Sequence, residues 1–324
     1  MGYHILVIGP DNYEIATRRG VYGAALHKHA ATTADIVASF SAIRAGDLVF
    51  FYVTGQGLYG LWRTTTRPFF DQTQIWPDTE QAYPFRICFE PIIRNFPRPV
   101  ALSDLLDARD RGVLWTFDLS TRQRKNHNPI TEVEGKELIR LLLRNNPVFR
   151  PTASIADQYP PQDAQIPIDL ATDASGRIKL EGFLSAWLTR QLVEGRLRHL
   201  FGEYRDVVNF VPTSFNTVMD LFLTHITQVD SVDILHKYSC IELKTDIGGQ
   251  KELQQLIKYE KWLVRKLANG DAEMIQPILI AHSFDDSVRE YVSRRSFLED
   301  RTVRLMEYRV DADRDLIHLE EIQV

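Results

Sequence analysis

The sequence predicts a two-domain protein of mixed class, α+β/α/β, in which a β-barrel with attached helices precedes a domain built on a mixed sheet. Apolar strands separated by glycine-rich turns fill the first half of the chain. Proline-rich sequence of low periodicity follows, and beyond it helices with apolar stripes accompany strands. A length of 324 residues is enough for two hydrophobic cores. We therefore predict domains at residues 1–148 and 178–324, joined by a linker at 149–177.

The elements of the first domain are predicted from apolar runs bounded by turn residues. The chain opens with a strand at residues 1–8, and a helix with apolar periodicity follows the glycine-containing stretch 18–23. A strand follows the turn at Gly46, and the next strand ends at Trp62 after a second glycine-rich turn. One more strand covers 83–90. This order of short strands favours a small barrel.

The second domain is predicted to begin with a long amphipathic helix at residues 179–200. Two strands then form a hairpin, which we expect to turn through residues 236–238. Gly248 and Gly249 mark a turn into the next helix. The remaining predicted elements are the hairpin strands 229–235 and 239–244, the helix 250–268, and the strands 275–281, 303–308 and 316–322.

The hairpin carries a pattern of charged side chains that indicates phosphodiester chemistry. Side chains two apart on a strand share a face, so Glu242 and Lys244 point the same way. In a hairpin that turns at 236–238, Asp233 lies beside Glu242. Two adjacent carboxylates favour a hard divalent cation between them, Mg²⁺ or alternatively Mn²⁺. Lys244 is then placed to orient or deprotonate a water, or to stabilise charge on a phosphate.

Gln255 and Tyr259 extend this pattern onto the next helix. They are four residues apart, so they are neighbours on one helical face and can cover the two acids with an amide and a phenol. A glutamate and a lysine two apart are common on solvated strands and carry little weight alone. The upstream acid and the helical pair make coincidence much less plausible.

These three pieces together resemble the core of the PD-(D/E)XK nucleases, in the branch with a QxxxY helix: Asp233, Glu242 with Lys244, and Gln255 with Tyr259. The resemblance implies an αβββαβ core with a mixed sheet over residues 178–324. It also implies a metal-dependent endonuclease in which the five residues are catalytic and Asp233 and Glu242 bind the metal.

The same family often adds an acid from its first core helix. Glu181 and Glu194 both fit, and Glu181 is favoured because it lies near the helix start. Asp230 is a rival for the role of Asp233, although it reaches the same strand face only after a bulge. Val232 stands where the family has a proline, a position at which the family varies widely.

The first half of the chain is similar to the EVE domains of the PUA superfamily, small β-barrels related to YTH readers. The matching pieces are the opening strand, the stretch Gly20–Gly23, the strand after Gly46, the strand ending at Trp62 and the strand 83–90. The resemblance implies a pocket that stacks a flipped, modified base between aromatic rings. An aromatic residue on a barrel strand is usually core, so each candidate has that alternative. The candidates are Tyr22, Trp62, Tyr52, Trp76 and Arg86, with Asn12 as a further polar reader.

Composition limits the surroundings and partners of the protein. A net charge of −5 argues against a general nucleic-acid coat but leaves room for local basic patches. Cys88 and Cys240 are interpreted as reduced core residues, and no membrane span or signal peptide is recognised, so we expect a cytoplasmic protein. The candidate phosphate-contacting patches are Arg122–His127, the face of Arg190, Arg196 and Arg198, and the face of Lys258, Lys261 and Arg265.

The two resemblances together predict a modification-dependent DNA endonuclease. Its partner is double-stranded DNA carrying a modified base, most plausibly a cytosine derivative. Cutting both strands needs two centres, which favours a homodimer. The alternatives are a nuclease for mismatched, branched or RNA substrates, a reader whose nuclease core is degenerate, and a protein-interaction role for the barrel.

Overall fold

The chain divides into two compact units, Met1–Pro167 and Ile168–Val324. This division lies within the predicted linker. Residues of that segment pack into either unit, because Tyr159 is buried in the first and Leu170 in the second. Residues 122–125 of the predicted basic patch Arg122–His127 lie outside the described residues. The computed structural model describes residues 1–76, 82–117, 126–311 and 316–323.

The first unit is built on a curled, half-barrel sheet with helices packed against it. Its described strands are β1 (Tyr3–Ile8), β2 (Val21–Ala24), β3 (Leu48–Val53), β4 (Gly57–Thr64), β5 (Phe69–Phe70), β6 (Phe85–Pro91) and β7 (His127–Ile130). Its described helices are α1 (Pro10–Arg19), α2 (Ala30–Phe40), α3 (Leu102–Asp110) and α4 (Glu132–Asn145). The strand order is β2-β6-β4-β3-β1-β7, with β5 paired to β6. Only β1 and β3 pair in parallel among these strands.

The second unit contains a mixed sheet of order β15-β14-β12-β10-β9-β8. Its described strands are β8 (Tyr204–Pro212), β9 (Val218–Val229), β10 (Val232–Leu243), β11 (Ile247–Gly248), β12 (Ile275–Ala281), β13 (Ser283–Phe284), β14 (Arg304–Asp311) and β15 (Leu316–Ile322). Its described helices are α5 (Glu181–Val193), α6 (Arg198–Phe201), α7 (Gln250–Lys266) and α8 (Asp286–Glu299). Strands β10, β12 and β14 run parallel, and the other pairs in this sheet are antiparallel. Along the chain, helix α5 is followed by strands β8 to β10, helix α7 and strand β12, with the short α6 between α5 and β8 and the short β11 between β10 and α7.

The long helix predicted over residues 179–200 is two helices in the structure. Helix α5 ends at Val193, and Gly195 follows with φ +72°. Glycine adopts this left-handed conformation without the steric cost that a side chain brings, so it breaks the helix there.

The turn of the central hairpin differs from the prediction and moves a candidate residue. It lies at Asp230 and Ser231, which have φ values of +49° and +67°, whereas we expected it at residues 236–238. Two consecutive positive φ values are what a tight two-residue hairpin turn requires. Strand β10 therefore runs through the predicted turn, with only a bulge between Leu235 and Lys237.

The sheet of the second unit is covered on one face by α5 and on the other by α7. Ile241 and Leu243 belong to one buried apolar cluster with Trp187 of α5. Glu242, between them on β10, contacts α7 instead. This alternation follows from the strand geometry, in which successive side chains point to opposite faces. Glu242 is therefore directed into the layer between the sheet and α7.

Candidate functional site

Glu242 and Asp220 form a pair of carboxylates on neighbouring strands. Ile241 of β10 faces Leu221 of β9, so Glu242 lies opposite Asp220 and on the same face of the sheet. The backbone N–H of Leu243 donates to Asp220 Oδ2 at 2.7 Å and fixes that side chain. Glu242 is only 2% exposed. The pair is thus held by the backbone of the sheet.

Gln255 and Tyr259 of α7 hold the Glu242 carboxylate from the other side. Gln255 Nε2 donates to Glu242 Oε1 at 3.0 Å and to the Tyr259 hydroxyl at 2.6 Å. Tyr259 is fully buried, and its hydroxyl donates to the Val218 carbonyl at 2.8 Å. The predicted helical pair therefore reaches Glu242 as expected, through the amide of Gln255.

Lys244 and Glu181 complete the cluster at the end of β10. Lys244 Nζ is 2.9 Å from Glu181 Oε2 and 3.7 Å from Glu242 Oε1. Glu181 stands in the first turn of α5, where the helix dipole favours a negative charge. The structure therefore brings Glu181 to the site, as expected from its position near the helix start.

The environment of the site shifts the pKa values of its charged groups. Burial and the nearby Asp220 raise the pKa of Glu242 to about 9, while Lys244 opposes the shift. Burial also disfavours the charged form of Lys244, but Glu181 and then Asp220 and Glu242 outweigh it and raise the pKa of Lys244. Lys244 consequently keeps its proton at neutral pH, which favours electrostatic stabilisation over the role of base.

The donor set fits a hard divalent cation. Glu242 Oε2 is buried and has no hydrogen-bond partner in the part of the chain that the structure describes. Leaving such an atom unpaired costs about 1–3 kcal/mol, which a bound cation would offset. No cluster of three or more His, Cys, Asp or Glu side chains in the described ranges is arranged for a metal. The two carboxylates of Asp220 and Glu242 are nevertheless enough for Mg²⁺, because this ion is often bound through one or two carboxylates and keeps several waters.

Asp233 is not part of this site, and the prediction that it lies beside Glu242 is wrong. It faces Gln228 next to the hairpin turn, nine residues and roughly 30 Å along β10 from Glu242. There it pairs with Arg205 at 2.6 Å and accepts from Gln228 at 3.1 Å. Asp230, its rival, lies in the turn itself. The physical reason is the position of the turn, since moving it to residues 230 and 231 changes every cross-strand partner.

Asp220 was missed by the sequence reasoning, although a signal for it exists. It lies within the apolar run 218–223, where a charged side chain is unusual unless it has a partner or a function. Its distance in sequence from Glu242 is too long for a short hairpin. Only strands of twelve residues each, as observed in β9 and β10, bring the two together.

A second candidate site is a cavity of about 270 Å³ in the first unit. Tyr22 lies in its wall, and its hydroxyl donates to the carbonyls of Val7 at 3.1 Å and Asn126 at 2.6 Å. Burial raises the pKa of Tyr22, so the hydroxyl stays protonated. The cavity is lined by aromatic rings, by amide side chains and by a glycine that lets neighbouring groups approach the backbone closely. These residues are Tyr22, Trp76, Tyr83, Asn12, Asn126 and Gly23.

The Trp76 wall of the cavity depends on close packing and on Arg86. A Cβ atom at Gly23 would stand 2.8 Å from Trp76 Cη2 and 2.8 Å from Tyr83 Cβ, so glycine is needed there. Arg86 is fully buried and lies over the Trp76 ring at 5.6 Å. It pairs with Asp71 at 3.2 Å. Arg86 is not among the described lining residues, so it supports Trp76 from behind instead of reading a base directly.

Trp62 and Tyr52 are not among the described lining residues of this cavity, contrary to their prediction as base-binding residues. Tyr52 packs against Phe117 at 5.9 Å, because alternation on β3 turns it away from the face of Phe51, whose ring contacts Tyr22. Trp62 packs edge-on against Phe51 at 4.9 Å and is also covered by Tyr13 of α1. Both rings are used in packing. Tyr83, which does line the cavity, was not among the candidates.

Two further predictions concern the cysteines and the absence of a membrane span. Cys88 and Cys240 are buried and free, as expected for core residues. Across the described ranges, no helix is both long enough and apolar enough to span a membrane.

Comparison with known proteins identifies one part of the chain. None of the curated proteins matches it. Among solved structures, a Pseudomonas putida protein is 18% identical, with 44% of this chain and 99% of that one covered and a TM-score of 0.32. An Agrobacterium tumefaciens protein is 21% identical, with 45% and 97% covered and a TM-score of 0.32. A repair endonuclease from Pyrococcus abyssi is 16% identical, with 33% and 41% covered and a TM-score of 0.25. The EVE family profile matches residues 26–141, and the first unit of this chain therefore contains an EVE domain.

Proposed function

We propose that this protein is a modification-dependent DNA endonuclease, in which the first unit reads a modified base and the second hydrolyses phosphodiester bonds as a PD-(D/E)XK nuclease. One observation carries the nuclease assignment. The buried Glu242 carboxylate lies beside Asp220, and its Oε2 lacks a partner within the described ranges. The EVE domain supports the reader assignment.

Asp220 and Glu242 would hold the cation, Mg²⁺ or in its place Mn²⁺. When bound, such an ion supplies Lewis-acid stabilisation of the charge that develops on a phosphate. The remaining side chains shape this site. Gln255 fixes the Glu242 carboxylate, and Tyr259 fixes Gln255 through its own bond to the sheet.

Lys244 presents a protonated amine at the mouth of the site. Its charge is placed to bind a phosphate oxygen and to stabilise negative charge during cleavage. Glu181 orients that amine through the contact at 2.9 Å. Because the pKa of Lys244 is raised, proton removal from the attacking water is assigned to another group, such as a second water.

The cavity of the first unit is proposed to take a flipped base, a cytosine derivative. Tyr83 supplies a partly exposed aromatic ring, Tyr22 and Trp76 form buried parts of the wall, and Asn12 supplies an amide that can both donate to and accept from a base edge. A base extruded from duplex DNA pays an unpairing cost of a few kcal/mol, which stacking and these bonds offset. The proposed partner is therefore double-stranded DNA, and a homodimer would place one cleavage site on each strand.

A cleavage assay tests this proposal. Plain DNA is compared with the same DNA carrying methylated or hydroxymethylated cytosine, in Mg²⁺ or Mn²⁺. We expect cutting of a modified substrate only, reduced by about 100-fold or more in Asp220→Asn because a charged group in the site is lost. Asp233→Asn is the matched control, since it removes the same charge next to the hairpin turn, roughly 30 Å along β10 from Glu242. It should cut like the wild type.

The possible failures point to different halves of the proposal. Equal cutting of plain and modified DNA would remove the reader assignment and keep the nuclease. No cutting with either metal, in protein that still binds modified DNA, would remove the nuclease assignment and keep the reader. Loss of cutting in Asp233→Asn with activity in Asp220→Asn would refute the site described above.

A further inference from the structure

A groove of about 490 Å³ in the second unit runs along the exposed side of α7. One wall is the turn between β8 and β9, which contributes Phe215 and Thr217. Gln255 also lines the groove, and its amide donates to Glu242 at 3.0 Å. The groove therefore shares the Gln255 side chain with the candidate active site, although the metal-binding and phosphate-binding roles described above do not involve the groove.

The helix side of the groove carries four cations. Lys251, Lys258, Lys261 and Arg265 are spaced at seven, three and four residues, which places them on one helical face. All four are exposed, and none forms an ion pair with a carboxylate that the structure describes. From first to last they span roughly 21 Å of helix. In a chain of net charge −5, such a row of unneutralised cations favours an extended polyanion as occupant.

Phe215 adds an aromatic surface to the wall facing these cations. Its ring stacks on Tyr259 at 6.0 Å and meets Trp262 edge-on at 6.3 Å, so it is held in place from behind. It is nevertheless 37% exposed. The turn that carries it is tied by the Thr213 hydroxyl, which donates to the Thr217 carbonyl at 2.8 Å. The groove thus presents a fixed ring with one accessible side.

We infer that this groove binds an unpaired stretch of a nucleic-acid strand and leads it to the Glu242 site. A row of cations beside an exposed aromatic ring is the arrangement by which proteins hold single strands, with phosphates on the charges and bases on the ring. In a duplex the base faces are covered by their neighbours, so the ring would have nothing to stack on. The inference rests on the proposed nuclease function, since it states that a strand of the double-stranded substrate reaches that site in a locally unpaired form.

Binding can be measured without cleavage. The full chain is titrated into a fluorescent single-stranded DNA and into a duplex of the same sequence, in EDTA and at several salt concentrations. Phe215→Ala should weaken single-strand binding by roughly 5- to 150-fold, the effect of losing one stacked base. Phe215→Leu, which preserves the apolar packing, should weaken it as well. Phe297→Ala is the matched control, because Phe297 is 89% exposed on α8.

The cations have a separate signature in the same assay. Lys258→Ala combined with Lys261→Ala should lower the slope of log affinity against log salt by about 1.4, since each phosphate contact on a single strand contributes about 0.7. Arg294→Ala, on the exposed side of α8, should leave affinity and slope unchanged.

Several results would overturn the inference. The inference is wrong if the Phe215 variants and the double lysine variant bind single-stranded DNA as tightly as the wild type does. An equal loss for the duplex would mean that the face docks paired DNA, and competition only by an acidic peptide such as polyglutamate would indicate a protein partner. Cleavage is scored separately. If the variants bind single strands normally but fail to cut, the role of the groove in binding is contradicted and the nuclease function is not. If the wild type binds single strands but does not cut, the nuclease function is contradicted and the role of the groove is not.

Discussion

Replacing Glu242 with glutamine should stabilise the folded protein when no divalent cation is present. In the folded state burial and Asp220 raise the pKa of Glu242 from 4.5 to about 9. At pH 7 the unfolded chain ionises this group and the folded chain keeps it protonated. The difference spans about 2.5 pH units at 1.36 kcal/mol each, or roughly 3 kcal/mol of lost stability. Glutamine removes this penalty because it never ionises.

The pH dependence has a definite sign. Below pH 4.5 the carboxyl is protonated in both states and contributes nothing. Between pH 4.5 and about 9 the unfolded state has released a proton that the folded state retains, so stability falls as pH rises. Above that range the penalty is constant. The stability advantage of Glu242→Gln should therefore be small at pH 5, larger at pH 7 and largest at pH 9.

Thermal unfolding followed by circular dichroism measures this. In EDTA at pH 7, 3 kcal/mol corresponds to a rise in Tm of roughly 6–12 °C for a unit of this size. Adding Mg²⁺ should stabilise the wild type by mass action and leave Glu242→Gln unchanged. Glu290→Gln, an exposed carboxylate on α8, is the control and should show neither effect. A variant that is less stable than the wild type at every pH, or a difference independent of pH, would refute the reasoning.

Three further outcomes follow from contacts described above. Gly23→Val should weaken binding of modified DNA about tenfold or more, since a Cβ already stands 2.8 Å from Trp76 and Tyr83; unchanged affinity in an anisotropy titration would contradict the cavity as the base site. Tyr259→Phe should lower the free energy of unfolding in urea by about 1 kcal/mol through loss of its hydroxyl bonds, and no change would mean that they contribute nothing. Arg295→Ala should lower the free energy of unfolding in urea by about 3 kcal/mol, because the buried Glu260 then loses the guanidinium that donates to both of its carboxylate oxygens. An unchanged free energy would show that the remaining contacts of Glu260 are enough to stabilise its charge.

The sequence by itself determined those parts of the site that depend on local periodicity. Glu242 and Lys244 share a face because strands alternate with a period of two, and both contact the rest of the cluster. Gln255 and Tyr259 meet because residues four apart are neighbours on a helix. Glu181 reaches the cluster because it lies at the start of α5. The EVE resemblance likewise depended on an order of short strands that local patterns reveal.

The tertiary structure alone decided which distant residues complete each site. The hairpin turn at Asp230 and Ser231 sets the register of β9 against β10, and a different turn changes every cross-strand partner. Asp220, and not Asp233, therefore lies beside Glu242. An aromatic ring suits a hydrophobic core and the wall of a pocket equally well. The sequence therefore could not show that Trp76 lines the cavity whereas Trp62 packs against neighbouring rings. Long-range register and the choice between packing and lining are set by contacts between segments far apart in the chain, which local patterns do not encode.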